Sequence, residues 1–176
     1  MQPFTLDTDK IRKQARKATE EGAVTAGYRA DREAVVNALN EALATEWVCV
    51  LRYRFHYYMA SGLESEAIRA EFLEHANEEM EHADWLAERI IQLNGKPILD
   101  PAKLTDNSHS DYVEAKELRG MLTEDLVAER IAIDTYSAIL DWLGDKDPVT
   151  SRLLRRILEK EEEHAEDLAT LLTRAH

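Results

Sequence analysis

Two Glu-x-x-His pairs are the residues of this chain best suited to chemistry. They are Glu79 with His82 and Glu161 with His164, and of the six histidines only these two have a glutamate three residues before them. Residues three apart lie on the same face of an α-helix, so one carboxylate and one imidazole can bind the same ion. A single pair of this kind is a weak signal, but two pairs in matching contexts indicate a metal site.

Each pair is preceded by a lone glutamate at a similar distance. Glu46 lies 33 residues before Glu79, and Glu129 lies 32 residues before Glu161. Corresponding residues of the two halves are separated by 82 or 83 positions. The sequence therefore predicts two helical hairpins related by a pseudo-twofold axis, each supplying one lone glutamate and one Glu-x-x-His pair.

Four long amphipathic helices must position these residues. Apolar side chains recur at steps of three and four over residues 31–62, 65–95, 110–144 and 147–176. Asp31 is suited to cap the first helix, and Asp147 followed by Pro148 is typical of a helix start. The third helix is expected to begin near Ser110 and Asp111, with Glu114 placed for a capping box.

The links between the helices define the expected topology. Short links after the first and third helices make antiparallel hairpins. The connection over residues 96–110 is longer, and fifteen extended residues reach about 50 Å. A helix of about 30 residues is about 45 Å long, so this connection can return along the whole bundle. We therefore predict an all-α, ferritin-like four-helix bundle with one long crossover between helices 2 and 3 and no fifth helix.

The four glutamates lie on apolar helix faces, so exposing them to solvent would also expose the apolar side chains beside them. Glu46, for example, lies between Leu43 and Val50 on its helix face. Burying an ionised carboxylate costs several kcal/mol, and four neighbouring carboxylates repel one another. No Lys or Arg is expected beside them, so a pair of divalent cations would balance the charge. Carboxylate and imidazole ligands with open positions favour Fe or Mn and chemistry with a small molecule. A metal-free polar core is the alternative.

Composition restricts the class of protein. The chain has 176 residues and a net charge of −13, which argues against nucleic-acid binding by the body of the protein. No uninterrupted apolar run approaches the roughly 20 residues of a membrane span. No signal-peptide pattern opens the chain, and the single Cys49 excludes an internal disulfide. We expect a cytoplasmic protein with an N-terminal extension at residues 1–30 and a bundle domain at residues 31–176.

The extension carries a cluster of basic residues. Five bases occur within eight positions, at Lys10, Arg12, Lys13, Arg16 and Lys17. A solvated tail or short surface helix is the simpler interpretation. An arm that contacts DNA is the minor alternative, because acidic residues follow at once and the whole chain is negative.

At these motifs the chain resembles the ferritin superfamily, and within it the bacterioferritins most closely. The similarity covers residues 31–174 and is carried by LNEALATE at 39–46, EMEHAD at 79–84, LVAE at 126–129 and EEEH at 161–164. The resemblance implies a ferroxidase centre of two iron ions per subunit, with Glu79 and Glu161 as bridging ligands. His82 and His164 would each bind one iron, and Glu46 and Glu129 would be terminal ligands. Fe(II) would be oxidised by O₂ or H₂O₂ and stored as ferric mineral in a hollow homo-oligomeric cage, which protects against oxidative damage.

Several features depart from the bacterioferritin pattern. The chain ends 12 residues after His164, which leaves no room for a fifth helix, and it has an N-terminal extension. This is similar to Dps-like cages, so a 12-mer is expected rather than a 24-mer. Met80 matches a haem-ligating methionine, although helix packing also explains it. Cys49 is expected to be an inert buried thiol, and Tyr53 to be either a core residue or an electron donor during oxidation.

Two other functions remain open at this point. A di-iron or di-manganese oxidase or catalase would use the same residues without storing mineral. An acidic helical scaffold would use no metal at all. Hundreds of irons per cage would indicate storage, whereas about two per chain would indicate an enzyme without storage.

Overall fold

Four long helices carry the predicted site, and a computed structural model describes them within residues 3–62 and 65–174. Two short helices and a 3₁₀ turn at Thr19–Glu21 accompany them, and no strand occurs in these two ranges. In chain order the helices are α1 (Thr8–Gln14), α2 (Arg32–Met59), α3 (Ser65–Gln92), α4 (Pro101–Asn107), α5 (Leu118–Leu143) and α6 (Pro148–Arg174). The prediction of an all-α bundle is confirmed.

Most of the predicted helix boundaries match the structure. Asp31 caps α2 by accepting a hydrogen bond from the Ala34 backbone N–H at 3.2 Å. Asp147 caps α6 by accepting from the Thr150 N–H at 2.9 Å. Gly144 ends α5 with a φ of 54°, in the region that favours glycine. At the other ends, α2 stops at Met59 rather than at Gly62, since Ala60 is already extended.

The predicted start of the third long helix is wrong. α5 begins at Leu118, eight residues after Ser110, and the capping box does not form. Glu114 instead accepts a hydrogen bond from the Tyr112 hydroxyl at 3.3 Å. Residues 108–116 belong to the crossover instead, because side chains of α2 form hydrogen bonds with hydroxyl and backbone groups of this segment.

The crossover, residues 93–117, runs along α2 from one end of the bundle to the other. Four polar side chains of α2 fix it by hydrogen bonds. These are Asn40 with Lys96 and Ile98, Thr45 with His109, Arg52 with Ser110 and Asp111, and His56 with Ala115. Because these contacts progress along α2 in order, α5 begins at the end of the bundle where α3 began. This confirms the single long crossover, and within the described residues no helix follows α6.

Among the described residues the core contains three apolar clusters, and a polar layer lies between the two larger ones. One cluster includes Leu43, Leu86 and Tyr136, and the other includes Phe72 and Leu122. Apolar side chains separate this layer from solvent at both ends of the bundle. Its polar groups must therefore form hydrogen bonds with one another or bind an ion, because a buried polar group without a partner is costly.

Helix α2 is apolar enough, by length and composition alone, to resemble a membrane span. However, 61% of that window is buried inside the bundle, as expected for a core helix. Its hydropathy reflects its central place, since the crossover covers its outer face.

Candidate metal centre

All six predicted ligands lie in the polar layer. Each is at most 1% exposed, although each belongs to a charged or titratable residue type. α2 and α5 each contribute one glutamate, and α3 and α6 each contribute a Glu-x-x-His pair. The six residues are Glu46, Glu79, His82, Glu129, Glu161 and His164.

The six residues form two overlapping groups of potential ligands. Within each group the ligand atoms lie within 4.8 Å of one another. One group is Glu46, Glu79, His82 and Glu161, and the other is Glu79, Glu129, Glu161 and His164. Glu79 and Glu161 belong to both, so each can contact two ions, while every other member belongs to one of these two groups.

Both imidazoles present Nδ1 to the carboxylates. His82 Nδ1 lies 3.0 Å from Glu161 Oε1 and 3.2 Å from Glu79 Oε2. His164 Nδ1 lies 3.2 Å from Glu79 Oε1, and its Nε2 lies 2.7 Å from Glu78. A carboxylate on the outer nitrogen fixes the orientation of the ring and leaves the inner nitrogen available for a metal.

Several polar atoms of this layer lack a hydrogen-bond partner. Six fully buried side-chain N and O atoms are unpartnered among the described residues, and all except the Ser151 hydroxyl belong to the layer. The five are Glu46 Oε2, Glu79 Oε1, Glu129 Oε2, Glu161 Oε1 and His164 Nδ1. Such atoms normally find partners, so their concentration here is typical of a site that receives cations.

The carboxylates perturb one another's ionisation. Burial and the neighbouring Glu79 raise the pKa of Glu46 well above its usual value. Burial and the surrounding carboxylates likewise raise the pKa of Glu161. For Glu79 burial acts in the same direction, but the neighbouring Glu46 carboxyl and the His164 and His82 imidazoles outweigh it and hold the pKa well below normal. Of these three carboxyl groups, Glu79 is therefore the one that most favours the ionised form.

The histidines respond in the opposite way. Burial opposes their protonation, but hydrogen bonds with Glu46 and Glu79 raise the pKa of His82 to about 10. The neighbouring Glu129 and Glu79 carboxylates raise the pKa of His164 to about 12. Without metal, protons on the imidazoles and carboxyls offset the charge, and a bound cation has to displace them.

Two tyrosines brace the lone glutamates. The Tyr53 hydroxyl donates to Glu129 Oε1, and the Tyr136 hydroxyl donates to Glu46 Oε1. From the sequence, Tyr53 was expected to be either a core residue or an electron donor, and Tyr136 was not identified as part of the site. The signal that was available is their spacing, since each lies seven residues after the lone glutamate of its own helix.

His75 is a further residue that sequence reasoning missed. It is 2% exposed, and its ring stacks on that of His164 with 4.0 Å between centroids. It lies four residues before Glu79, on the same helix face, which could have identified it.

Two other predicted positions lie outside the layer. Met80 is 38% exposed and so lies on the outer side of α3. Cys49 is buried, and burial raises the pKa of its thiol well above normal. The thiol is therefore protonated and unreactive, in line with the expectation of an inert cysteine.

The fold and the site together define a helical bundle with one long crossover and a buried layer of carboxylates and histidines. Comparison with known proteins identifies the family to which this bundle belongs. The family model for the ferritin-like domain matches residues 36–176. The chain belongs to the ferritin-like family.

Relatives with this fold include both predicted branches. A bacterioferritin of Desulfovibrio desulfuricans is 32% identical over 141 residues, covering 79% of this chain and 75% of the relative. A DNA protection during starvation protein of Pyrococcus furiosus is 33% identical over 147 residues, covering 81% and 79%. A solved structure, described as a dodecameric thioferritin and bacterioferritin-related protein from Bacteroides fragilis, is 34% identical with a TM-score of 0.80, covering 83% of this chain and 88% of that one.

Proposed function

We propose that this protein is a ferroxidase that binds two ferrous ions per chain and oxidises them for storage. The observation that carries the proposal is the pair of ligand groups that share Glu79 and Glu161. Ferrous iron is the substrate, and the layer supplies oxygen and nitrogen ligands of the kind that iron accepts.

The geometry supports a division of roles among the six residues. Glu79 and Glu161 bridge the two ions. Glu46 and His82 complete one position, because both belong to the first group. The second position is completed by the remaining pair, Glu129 and His164.

The reaction balances with either oxidant. Each ferrous ion gives up one electron. O₂ takes two electrons and two protons to form H₂O₂, and H₂O₂ takes two more electrons and two protons to form water. The ionised layer retains the resulting Fe(III) transiently, and the protons that binding displaces from the imidazoles remain close to the reaction.

Storage requires an enclosed volume, which a single bundle lacks. We propose that copies assemble into a hollow cage that accumulates ferric mineral and removes peroxide in the cytoplasm. The related thioferritin from Bacteroides fragilis is described as dodecameric, and this supports a 12-mer here. Light scattering measures the assembly mass directly, and a mass near 24 subunits would refute the 12-mer.

The decisive experiment compares wild type, Glu79→Ala and Glu81→Ala. Ferrous iron is added in air and ferric absorbance is followed in the near ultraviolet. Glu81 is exposed and two residues from Glu79, so its removal controls for charge loss on the same helix. We expect rapid oxidation by wild type and Glu81→Ala, and only background oxidation with Glu79→Ala. Wild-type rates in Glu79→Ala would refute the proposed site.

Iron loading separates storage from an oxidase or catalase that forms no mineral. We expect repeated aerobic additions to load far more iron than about two ions per chain, measured on the isolated cage by elemental analysis. Saturation at about two ions per chain would favour the oxidase alternative.

Haem binding at Met80 is a separate proposal, tested by supplementation. The partly exposed Met80 faces away from the layer, so a haem there would lie against another surface. A Soret band that disappears in Met80→Leu supports it, and no Soret band in wild type excludes it.

DNA contact, if it occurs, involves the extension. α1 contains Lys10, Arg12 and Lys13, and all three are exposed. A gel-shift assay at low salt with and without residues 1–20 tests this, because electrostatic binding is strongest there. No shift for the full chain excludes it.

A further inference from the structure

A second group of ligand atoms lies beside the layer, in the groove between α3 and α6. It consists of Glu71 and His75 from α3 and Asp167 from α6, with ligand atoms within 4.8 Å of one another. His75 is buried, whereas Glu71 and Asp167 are only partly buried. The group therefore has one side in the protein interior and one side open to the groove.

Hydrogen bonding determines which nitrogen of His75 faces the two acids. The Tyr53 hydroxyl uses its only hydrogen to bond Glu129. Toward His75 Nδ1, which lies 3.2 Å away, the Tyr53 oxygen can therefore act only as a hydrogen-bond acceptor. Nδ1 therefore carries the ring proton of a neutral His75, and Nε2 keeps its lone pair.

The free nitrogen is directed at negative charge. His75 Nε2 lies 3.5 Å from Glu71 Oε1, which is longer than a normal hydrogen bond. Burial, Asp167 and Glu74 raise the pKa of Glu71, as expected where carboxylates are crowded. The imidazole nitrogen and the two carboxylates therefore offer three ligand atoms within 4.8 Å of one another.

We propose that Glu71, His75 and Asp167 bind one divalent transition-metal ion. One imidazole nitrogen with two carboxylates suits Fe(II), Mn(II) and Zn(II). In the working protein, and resting on the proposed ferroxidase function, the ion is Fe(II) on its way between the groove and the layer.

The position of this group is consistent with a site through which Fe(II) passes from the groove to the layer. The His75 ring stacks on His164, a residue of the layer, at 4.0 Å. Asp167 lies three residues beyond His164, so the ion would lie about one helical turn, roughly 5 Å, from the layer. The equivalent residue of the other hairpin, four before Glu161, is the buried Ile157. The passage is therefore one-sided and leads to the half of the layer that contains His164.

Anaerobic calorimetric titration of the assembled full-length protein with Fe(II) tests the site. The test variant is Glu71→Gln/Asp167→Asn. The matched control is Glu74→Gln/Glu166→Gln, which removes the same charge from exposed positions of the same helices. We expect about three ions per chain in wild type and control, about two in the test variant and about one in Glu79→Ala.

The outcomes separate the two proposals. Equal stoichiometry in wild type and the test variant, or equal losses in test and control variants, would overturn the third site. Loss of one ion in the test variant, together with wild-type oxidation by Glu79→Ala, would support the third site and refute the proposed ferroxidase. Size-exclusion chromatography and circular dichroism confirm that each variant is assembled and folded.

Passage also has a kinetic signature. With iron in excess, the test variant should oxidise successive ions several-fold more slowly than the control. The amplitude of the first oxidation, at about two ions per chain, should be unchanged. An unchanged rate in the test variant would contradict passage through the site.

Discussion

Tyr53 and Tyr136 occupy equivalent positions in the two hairpins and cross-brace the layer. Each follows the lone glutamate of its own helix by two turns and donates its hydroxyl to the lone glutamate of the other hairpin. The hydroxyl satisfies one carboxylate oxygen and leaves the second oxygen for an ion. In this way α2 and α5 fix each other's terminal ligand.

Removing either hydroxyl should weaken the layer. Tyr53→Phe and Tyr136→Phe each leave a buried carboxylate oxygen without its donor, which costs about 1–3 kcal/mol in unfolding free energy. We expect this loss in chemical denaturation of the metal-free protein, together with slower iron oxidation. Tyr58→Phe is the control, since Tyr58 is 69% exposed. Stabilities equal to that of Tyr58→Phe would show that the two hydroxyl bonds contribute nothing.

At the residue scale, sequence spacing predicted which face of a helix is buried, but it did not predict which side chains of different helices contact one another. Periodicity placed Glu46 and Glu129 on buried faces because that property depends on their own helix. His75 was missed because its importance depends on α6, which brings Asp167 beside it. The tyrosine hydroxyls were missed for the same reason, since the sequence does not specify which carboxylate a side chain reaches.

At the element scale, the crossover is the part of the fold that the sequence predicted least well. The motif Ser110 to Glu114 has the composition of a helix start, yet it forms no helix. The buried Arg52 bonds the Ser110 hydroxyl, the Asp111 carbonyl and the Asp125 carboxylate. This tertiary contact outweighs local capping preference, and local patterns contain no information about it.

Arg52 should therefore be a major determinant of stability. Arg52 and Asp125 form a 2.8 Å ion pair with both side chains at most 1% exposed. Arg52→Met leaves Asp125 with the His56 ring as its remaining described side-chain partner, and breaking such a buried pair costs about 3–5 kcal/mol. We expect that loss in urea denaturation, together with faster hydrogen exchange across residues 108–115.

Two further variants make this prediction specific. Arg54→Met, which removes a more exposed arginine two residues away, should change stability by less than about 1 kcal/mol. The double variant Arg52→Met/Asp125→Leu should recover part of the loss, since no buried carboxylate remains unpaired. If Arg52→Met were no more destabilising than Arg54→Met, the anchoring role would be wrong.

At the scale of the whole molecule, Asp147 connects three separate parts of the chain. Its carboxylate accepts from the Tyr28 hydroxyl in the N-terminal segment and from Arg89 near the end of α3, and it caps α6 at Thr150. Burial alone would raise its pKa, but the hydrogen bonds from Thr150 and Tyr28 hold it below the ordinary value of 3.8.

This depressed pKa gives a prediction for acid stability. Because the folded protein favours the carboxylate, Asp147 stabilises the fold above its unfolded pKa, and that contribution is lost as pH falls through the folded pKa. Asp147→Asn should therefore be less stable than wild type at about pH 7, and the difference should shrink towards about pH 3. Urea denaturation at both pH values measures this, and a difference independent of pH would contradict it.

The polar layer makes the stability of the whole bundle depend on metal. Two apolar clusters enclose five unpartnered atoms of the layer, and cations that bind only the folded protein stabilise it by mass action. At 100 times the dissociation constant this increment is about 2.7 kcal/mol for one site. Anaerobic Fe(II) should therefore raise the melting temperature of wild type.

Glu79→Ala should lose most of that increment, because Glu79 belongs to both ligand groups. Its removal also takes away the acceptor for Glu46, His82 and His164, so the metal-free variant need not melt at the wild-type temperature. The informative quantity is accordingly the shift caused by Fe(II), measured for each protein against its own metal-free form. Glu81→Ala should keep the full shift. A metal-free acidic scaffold would instead give no Fe(II)-dependent shift in any of the three proteins, and that result would remove the physical basis for a metal centre.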